Sequence, residues 1–236
     1  MVRSCSELIY QIIELYRGIY KVTDPLDERL VLTWIQQTRA KLLKQRIDEP
    51  GRFIDEHCVQ TLGGVEMELI DSSTYTAIPS NRKILRTVRD LPATIDTKGD
   101  VGTFTLITAS DKLINNFTYV SYDRAMFSGN GKFNNRDIYA YLDGKRMCLT
   151  SSSGVHKGIK YITIKGVFAN PIEAYEFVNG VGSYSWDMEY PISETIVDDM
   201  KNMIIQNNFK LVLNPLQDVS NNSNDDVITT PEIKQG

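Results

Sequence analysis

Apolar residues recur three and four apart from the start of the chain. Leu8, Ile9, Ile12, Ile13, Tyr16, Ile19 and Tyr20 line one side of a predicted helix. Ser4 opens it, and Glu7 three positions on completes a capping box. Asp24 and Pro25 then supply an N-cap and a first-turn proline for a second helix. Its stripe is Leu26, Leu30, Val31, Trp34, Ile35, Thr38 and Leu42, and Pro50-Gly51 stops it. Two such helices joined by a few residues predict an antiparallel hairpin over 1–50.

Past Gly51 the period shortens. Glycines, aspartates and asparagines punctuate short runs rich in β-branched and aromatic residues: "VEMELI", "TFTLIT", "FTYVSY", "DIYAYL", "RMCLTS" and "KYITIKGVF". These predict a β-rich domain over 51–190. Its clearest hairpin is "IYAYLDGKRMCLTS", where Asp143-Gly144 is expected to take the positive φ angles of a tight turn. Helical spacing returns over 191–208. Ser193 or Pro191 opens this helix, Ile196, Val197, Met200, Met203 and Ile204 share one face, and Asn207-Asn208 ends it. The expected class is α+β: an N-terminal helical hairpin packed with the C-terminal helix as a bundle, a β-rich insertion, and an extended C-terminal tail over 209–236.

That tail poses the functional question. Phe209, Leu211, Val212, Leu213 and Leu216 are apolar, and "SNNSNDD" after them cannot pack. A terminus with no partner seldom carries such a run. Phe209, Leu211, Leu213 and Leu216, with Val227 and Ile228 further out, are therefore expected to meet a protein surface. A chain cut after Asn208 should still fold.

Composition narrows the chemistry. Apolar content of 42% and charged content of 24% are those of a globular protein. A net charge of −4 and a pI near 5.3 argue against a protein whose main work is gripping nucleic acid, which needs net basic surface. No apolar run approaches the roughly 20 residues that span a bilayer, and none at the start resembles a secretory signal. Cys5, Cys58 and Cys148 are odd in number and far apart, as expected of reduced thiols in a cytoplasmic product.

No catalytic or cofactor pattern emerges. In "FSGNGKFNN", Gly131 precedes Lys132, but the first glycine of a phosphate loop is misplaced and Phe133 stands where Ser or Thr is needed. His57, Cys58 and His156 lack the short ligand spacing of a zinc site. Asp198 and Asp199 sit on a polar helix face, and Asp187, Glu189, Asp225 and Asp226 fit no calcium loop. The one basic cluster, Arg82, Lys83, Arg86 and Arg89, reads as a solvated or charged interface face before a phosphate site. No metal, no cofactor and no enzymatic activity are expected.

"KILRTVRDLPATIDTKGDVGTFTLI", "FTYVSYDRAMFSGNGKFNNRDIYAYLDGKRMCLTS", "KYITIKGVFANP" and "YPISETIVDDMKNMII…NPLQDVSNNSNDD" resemble the virion structural proteins of crAss-like bacteriophages. The likeness is to their ring-forming head-to-tail connector proteins, and it covers most of the chain from about Gly51 onward. It implies a structural subunit of a ring, twelvefold, assembled in the host cytoplasm and residing in the virion. Its implied partners are further copies of itself, the portal protein and other tail or ring proteins. Genomic DNA would pass through without specific binding, and no membrane is involved. The tail would then lie on the portal or a neighbouring subunit. A ring also needs two unlike patches per copy, for which basic Arg39 to Arg46 and acidic Asp24 to Glu28 are the expected pair. Two other classes stand beside this reading: a DNA-binding virion protein acting through 82–89, and an envelope-degrading tail enzyme.

Overall fold

The computed structural model describes residues 3–21, 26–49, 54–71, 83–95, 103–110, 117–125, 127–128, 134 and 136–209. Helix α1 spans Cys5–Tyr20 and α2 spans Glu28–Asp48. Ser4 caps α1 as expected, its side chain accepting the Glu7 N–H at 3.2 Å. The cap of α2 is Asp27 rather than Asp24, its carboxylate accepting the Arg29 N–H. Asp24, Pro25, Pro50 and Gly51 lie outside the described residues. The buried stripe of α1 is Leu8, Ile9, Ile12, Ile13 and Tyr16, joined by Cys5. Ile19 and Leu30, expected inside, are exposed because each falls at the margin of its stripe.

Among the described residues seven strands form one sheet: β1 (Gln60–Asp71), β2 (Lys83–Thr87), β3 (Phe104–Ala109), β4 (Thr118–Tyr119), β5 (Tyr139–Asp143), β6 (Arg146–Thr150) and β7 (Tyr161–Gly166). Their spatial order is β3-β7-β1-β2-β6-β5-β4, antiparallel throughout except for the parallel pair β4–β5. The sheet curls until its edges nearly meet. The Phe117 N–H beside β4 donates to the Ile107 carbonyl of β3 at 2.8 Å, and the Phe104 and Tyr119 rings stand 5.1 Å apart across the seam. The long strand β1 bends at a bulge between Leu62 and Val65, where Gly64 takes φ +66°. Leu62, Val65, Leu85, Ile107, Ala140, Met147, Leu149, Ile162 and Ile164 fill the interior of this near-barrel.

The "IYAYLDGKRMCLTS" hairpin forms as β5–β6, with one difference. Asp143 pairs with Arg146 as part of the ladder, so the turn is Gly144-Lys145 and the positive φ falls on Gly144 alone. "FTYVSY" gives only the two residues of β4 before a single helical turn, α3 (Tyr122–Ala125). Beside these short turns, two longer elements were not anticipated. Strand β2 lies inside the basic cluster, and helix α4 (Pro171–Asn179) follows β7. Asn170 caps α4 through its side-chain oxygen, and Pro171 occupies the first turn.

Helix α5 (Glu194–Ile204) packs against α1 and α2, and Ile196, Val197, Met200 and Ile204 are buried in the bundle. Helical winding does not stop at Asn207-Asn208. It widens into a π turn over Ile205–Phe209 and delivers Phe209 into the core. The Phe209 ring is fully buried, 5.0 Å from Tyr16, 6.0 Å from Tyr20 and 6.1 Å from Trp34, centroid to centroid. Edge-to-face aromatic packing of this kind adds to the gain from burial alone.

The safe truncation point therefore moves by one residue. A chain ending at Phe209 is expected to melt close to the full-length chain, whereas one ending at Asn208 should lose about 3–5 kcal/mol, the usual cost of deleting a buried aromatic side chain. Paired urea or thermal melts of the two truncations check this, and equal midpoints would show that Phe209 contributes nothing to the bundle.

Candidate functional site: the assembly surfaces

The bundle and the near-barrel meet at a buried arginine. Arg39 lies in the middle of α2 with none of its surface exposed. Its Nε donates to the Pro191 carbonyl at 2.7 Å, Nη1 to the Phe168 carbonyl at 2.9 Å and Nη2 to the Cys58 carbonyl at 3.4 Å. Those carbonyls come from three segments at the junction of the two halves: the segment entering β1, the segment between β7 and α4, and the segment entering α5. Among the described residues no carboxylate pairs with Arg39. Burial lowers its pKa from the ordinary arginine value, and the Tyr190 ring, with its centroid 5.9 Å from the guanidinium carbon, packs beside it. A planar fork with fixed donor directions suits three converging carbonyls. Arg39 is thus not available to the basic interface patch expected of Arg39 to Arg46.

Polar contacts around it brace the same junction. Gln36 donates to Asn170 Oδ1 at 3.1 Å, the atom that also caps α4, and Gln60 donates to the Pro171 carbonyl at 2.9 Å. Arg46 reaches Thr195 and Asp199 on α5, and the Ser193 hydroxyl donates to Asp55. That Ser193 bond, with the His57 backbone N–H, holds the Asp55 carboxyl below its usual pKa.

The basic cluster is largely spent inside the subunit. Arg86 on β2 pairs with Glu68 on β1, which Arg146 also approaches at 3.5 Å, and Arg146 reaches Asp90 at 2.8 Å. Arg89 stacks on Phe177 of α4, 4.4 Å from the ring centroid, and donates to the Phe177 carbonyl. Lys83 lies 4.0 Å from Asp71. Arg82 lies outside the described residues, as do Leu211, Leu213, Leu216, Val227 and Ile228 and the glycine-rich stretch around Lys132. Of the expected interface residues in the tail, Phe209 is described, and it is taken up by the chain's own bundle.

Burial also sets the state of the reactive groups. It pushes the Cys5 thiol up to about 11 and the Cys148 thiol up to about 12, so neither is a thiolate at neutral pH. His156 is buried with Nε2 2.8 Å from the Lys83 carbonyl, and desolvation lowers its pKa, opposed by that hydrogen bond. Among the described residues no three His, Cys, Asp or Glu side chains are grouped to hold a metal, and no helix is long and apolar enough to cross a membrane.

Apolar side chains remain outside. The outer face of α1 carries Tyr10, 64% exposed, Ile19, 48% exposed, and Leu15. With Gln11, Glu14 and Gly18, and Lys201 from α5, they line an open groove of about 470 Å³. The turn after α4 presents Val181, 97% exposed, next to Val178. Periodicity located the buried stripes but could not show that α1 is apolar on two faces. Tyr10 and Leu15 were the unread signal, since neither belongs to the stripe.

A fold that spends its buried polar groups on bracing a bundle against a barrel, and leaves apolar side chains outside, suits a subunit that packs against others. The chain belongs to the family of phage tail ring protein 2 from crAss-like phages, whose family model matches residues 7–227. No curated protein matches the chain. It is thus a ring component of a phage tail, working in repeated copies.

Two outcomes test the site chemistry. Replacing Arg39 by Met strands two buried carbonyls and one part-buried one, and is expected to cost about 3–5 kcal/mol in urea unfolding. Arg39→Lys should recover little of this, because an ammonium cannot reproduce the fork. His156 gives a pH signature. Its folded pKa lies below the unfolded value of about 6.5, so its contribution is full above that pH. As pH falls through about 6.5 the unfolded chain takes up a proton that the folded chain refuses, and stability drops. The urea midpoint should therefore fall between pH 7 and pH 5 more steeply in the natural chain than in His156→Gln, and parallel slopes would refute it.

Proposed function

We propose that this tail ring protein is a head-to-tail connector subunit. A ring of it, twelvefold, would link the portal to the tail and surround the path of the exiting genome. The observation that carries the reading is the membership of a tail ring family together with a bundle core closed by Phe209. Leu211, Leu213 and Leu216 follow that closing residue at once in sequence, and Val227 and Ile228 lie beyond "SNNSNDD". On this reading they anchor the tail on the portal or a neighbouring ring. Each buried side chain would contribute about 1.5–3 kcal/mol, repeated around the ring.

The acidic balance, −4 overall, supports a passage that does not hold DNA, since each phosphate contact would slow transit. The reading through a basic DNA-binding cluster has less support, because Arg86 and Arg89 already serve Glu68 and Phe177.

A chain ending at Phe209 is expected to melt like the full chain and to fail to co-sediment with portal complexes that retain the full chain. Retention of the truncated chain would show that the tail is not the portal anchor. Failure of the full chain to bind portal at all would place the ring elsewhere in the tail.

A further inference from the structure

Two of the apolar features on the described surface stand out as unused by the fold itself. The first is the groove on the outer face of α1. Gly18 lines it, in the last turn of a 16-residue helix. Its φ is not in the left-handed region, and a Cβ placed there would meet nothing within 4 Å. Glycine in a helix is less stable than alanine, and here no turn or close approach within the subunit calls for it. The left-handed cap of the same helix falls on Lys21, φ 54°, where glycine is the usual choice. Gly18 thus leaves open space in the groove that Leu15, Ile19 and Glu14 also line.

The second feature is the turn after α4. Gly180 and Gly182 take φ +100° and +78°. The Gly182 N–H donates to Glu176 Oε1 at 2.9 Å, the Gly180 N–H to the Glu176 carbonyl at 2.8 Å, and the Ser183 hydroxyl to the Gly180 carbonyl at 2.6 Å. This turn is built, and at its tip it holds Val181 almost wholly in solvent, beside Val178. Holding a knob in place beforehand reduces the ordering cost of docking it.

We propose that the Val178–Val181 knob of one copy docks in the Gly18 groove of the next, forming the repeated contact of the ring. The inference rests on the family's ring architecture. A closed ring of identical chains joins two unlike patches on each copy, and a knob and a notch are such a pair. Charge agrees with the pairing. Lys201 lines the groove and makes no ion pair among the described residues, Glu14 beside it is paired with Arg17, and Glu176 carries its carboxylate at the base of the knob.

The test uses full-length chains bearing Leu15→Cys, Val181→Cys, or both. Cys5, Cys58 and Cys148 are all buried, so the introduced thiols are the accessible ones. Under mild oxidation an equimolar mixture of the two single variants is expected to yield cross-linked dimer well above either alone, and the double variant a ladder of higher oligomers. Gly18→Met should fill the notch and lower the yield of rings, counted by native mass spectrometry, by about tenfold or more, without loss of thermal stability. Rings that form without the mixed cross-link, or Leu15→Cys linking to itself as readily, or Gly18→Met assembling at full yield, would overturn the knob-and-notch contact and leave ring membership standing. A chain that stays monomeric at every concentration, alone and with portal complexes, would likewise overturn the contact.

Discussion

The architecture depends on a cation sealed between two cores. Arg39 is a helix residue whose three hydrogen bonds all leave its helix, each going to a different segment at the junction of bundle and barrel. A buried guanidinium is tolerated only when its donors are satisfied, and here carbonyl dipoles take the place of a carboxylate. The arrangement fixes register as well as position, because a planar fork accepts its partners from few directions. Shifting any one of the three segments would leave a buried donor or carbonyl unmade. The orientation of barrel to bundle is thus specified by geometry in addition to apolar contact.

Each half is otherwise built on its own apolar logic. The bundle buries a three-helix stripe and ends with Phe209 among Tyr16, Tyr20 and Trp34. The barrel fills its interior from alternate strand positions and is drawn together across the β3–β4 seam by the Phe117–Ile107 hydrogen bond and the Phe104–Tyr119 pair. Curling nearly shut removes most of the exposed strand edge that would otherwise invite uncontrolled pairing. For a protein that works in repeated copies, this leaves association to chosen side-chain surfaces in place of open backbone.

What was legible in the sequence followed from periodicity and turn chemistry. The stripes of α1, α2 and α5, the β5–β6 hairpin and the α+β class were all readable, because burial on one face imposes a period. Strand β2 was masked by function-like residues. Arg86 and Arg89 read as a charged surface, yet Leu85 and Ile84 beneath them are buried, and the charges answer Glu68 and the Phe177 ring across elements distant in sequence. Arg39 was misplaced for a related reason. An arginine among lysines on a helix looks solvated until three carbonyls from elsewhere converge on it, and no local pattern encodes that convergence. The Asn170-Pro171 start of α4 was a readable cap that a nearby strand pattern obscured.

The same limit explains why interaction surfaces are harder to read than cores. A buried stripe betrays itself by repetition, whereas an assembly surface needs only a few side chains whose exposure becomes evident once the core is known. Tyr10, Leu15 and Ile19 look like ordinary helix residues until α1 is seen to bury its opposite face against α2 and α5. Gly18 looks like a defect until the space beside it is found empty. Both observations concern what the fold leaves unused, and in a ring protein the unused apolar surface is where the neighbouring copy is to be sought. One helix then serves two ends: its inner face and Phe209 complete the subunit, and its outer face is left for assembly.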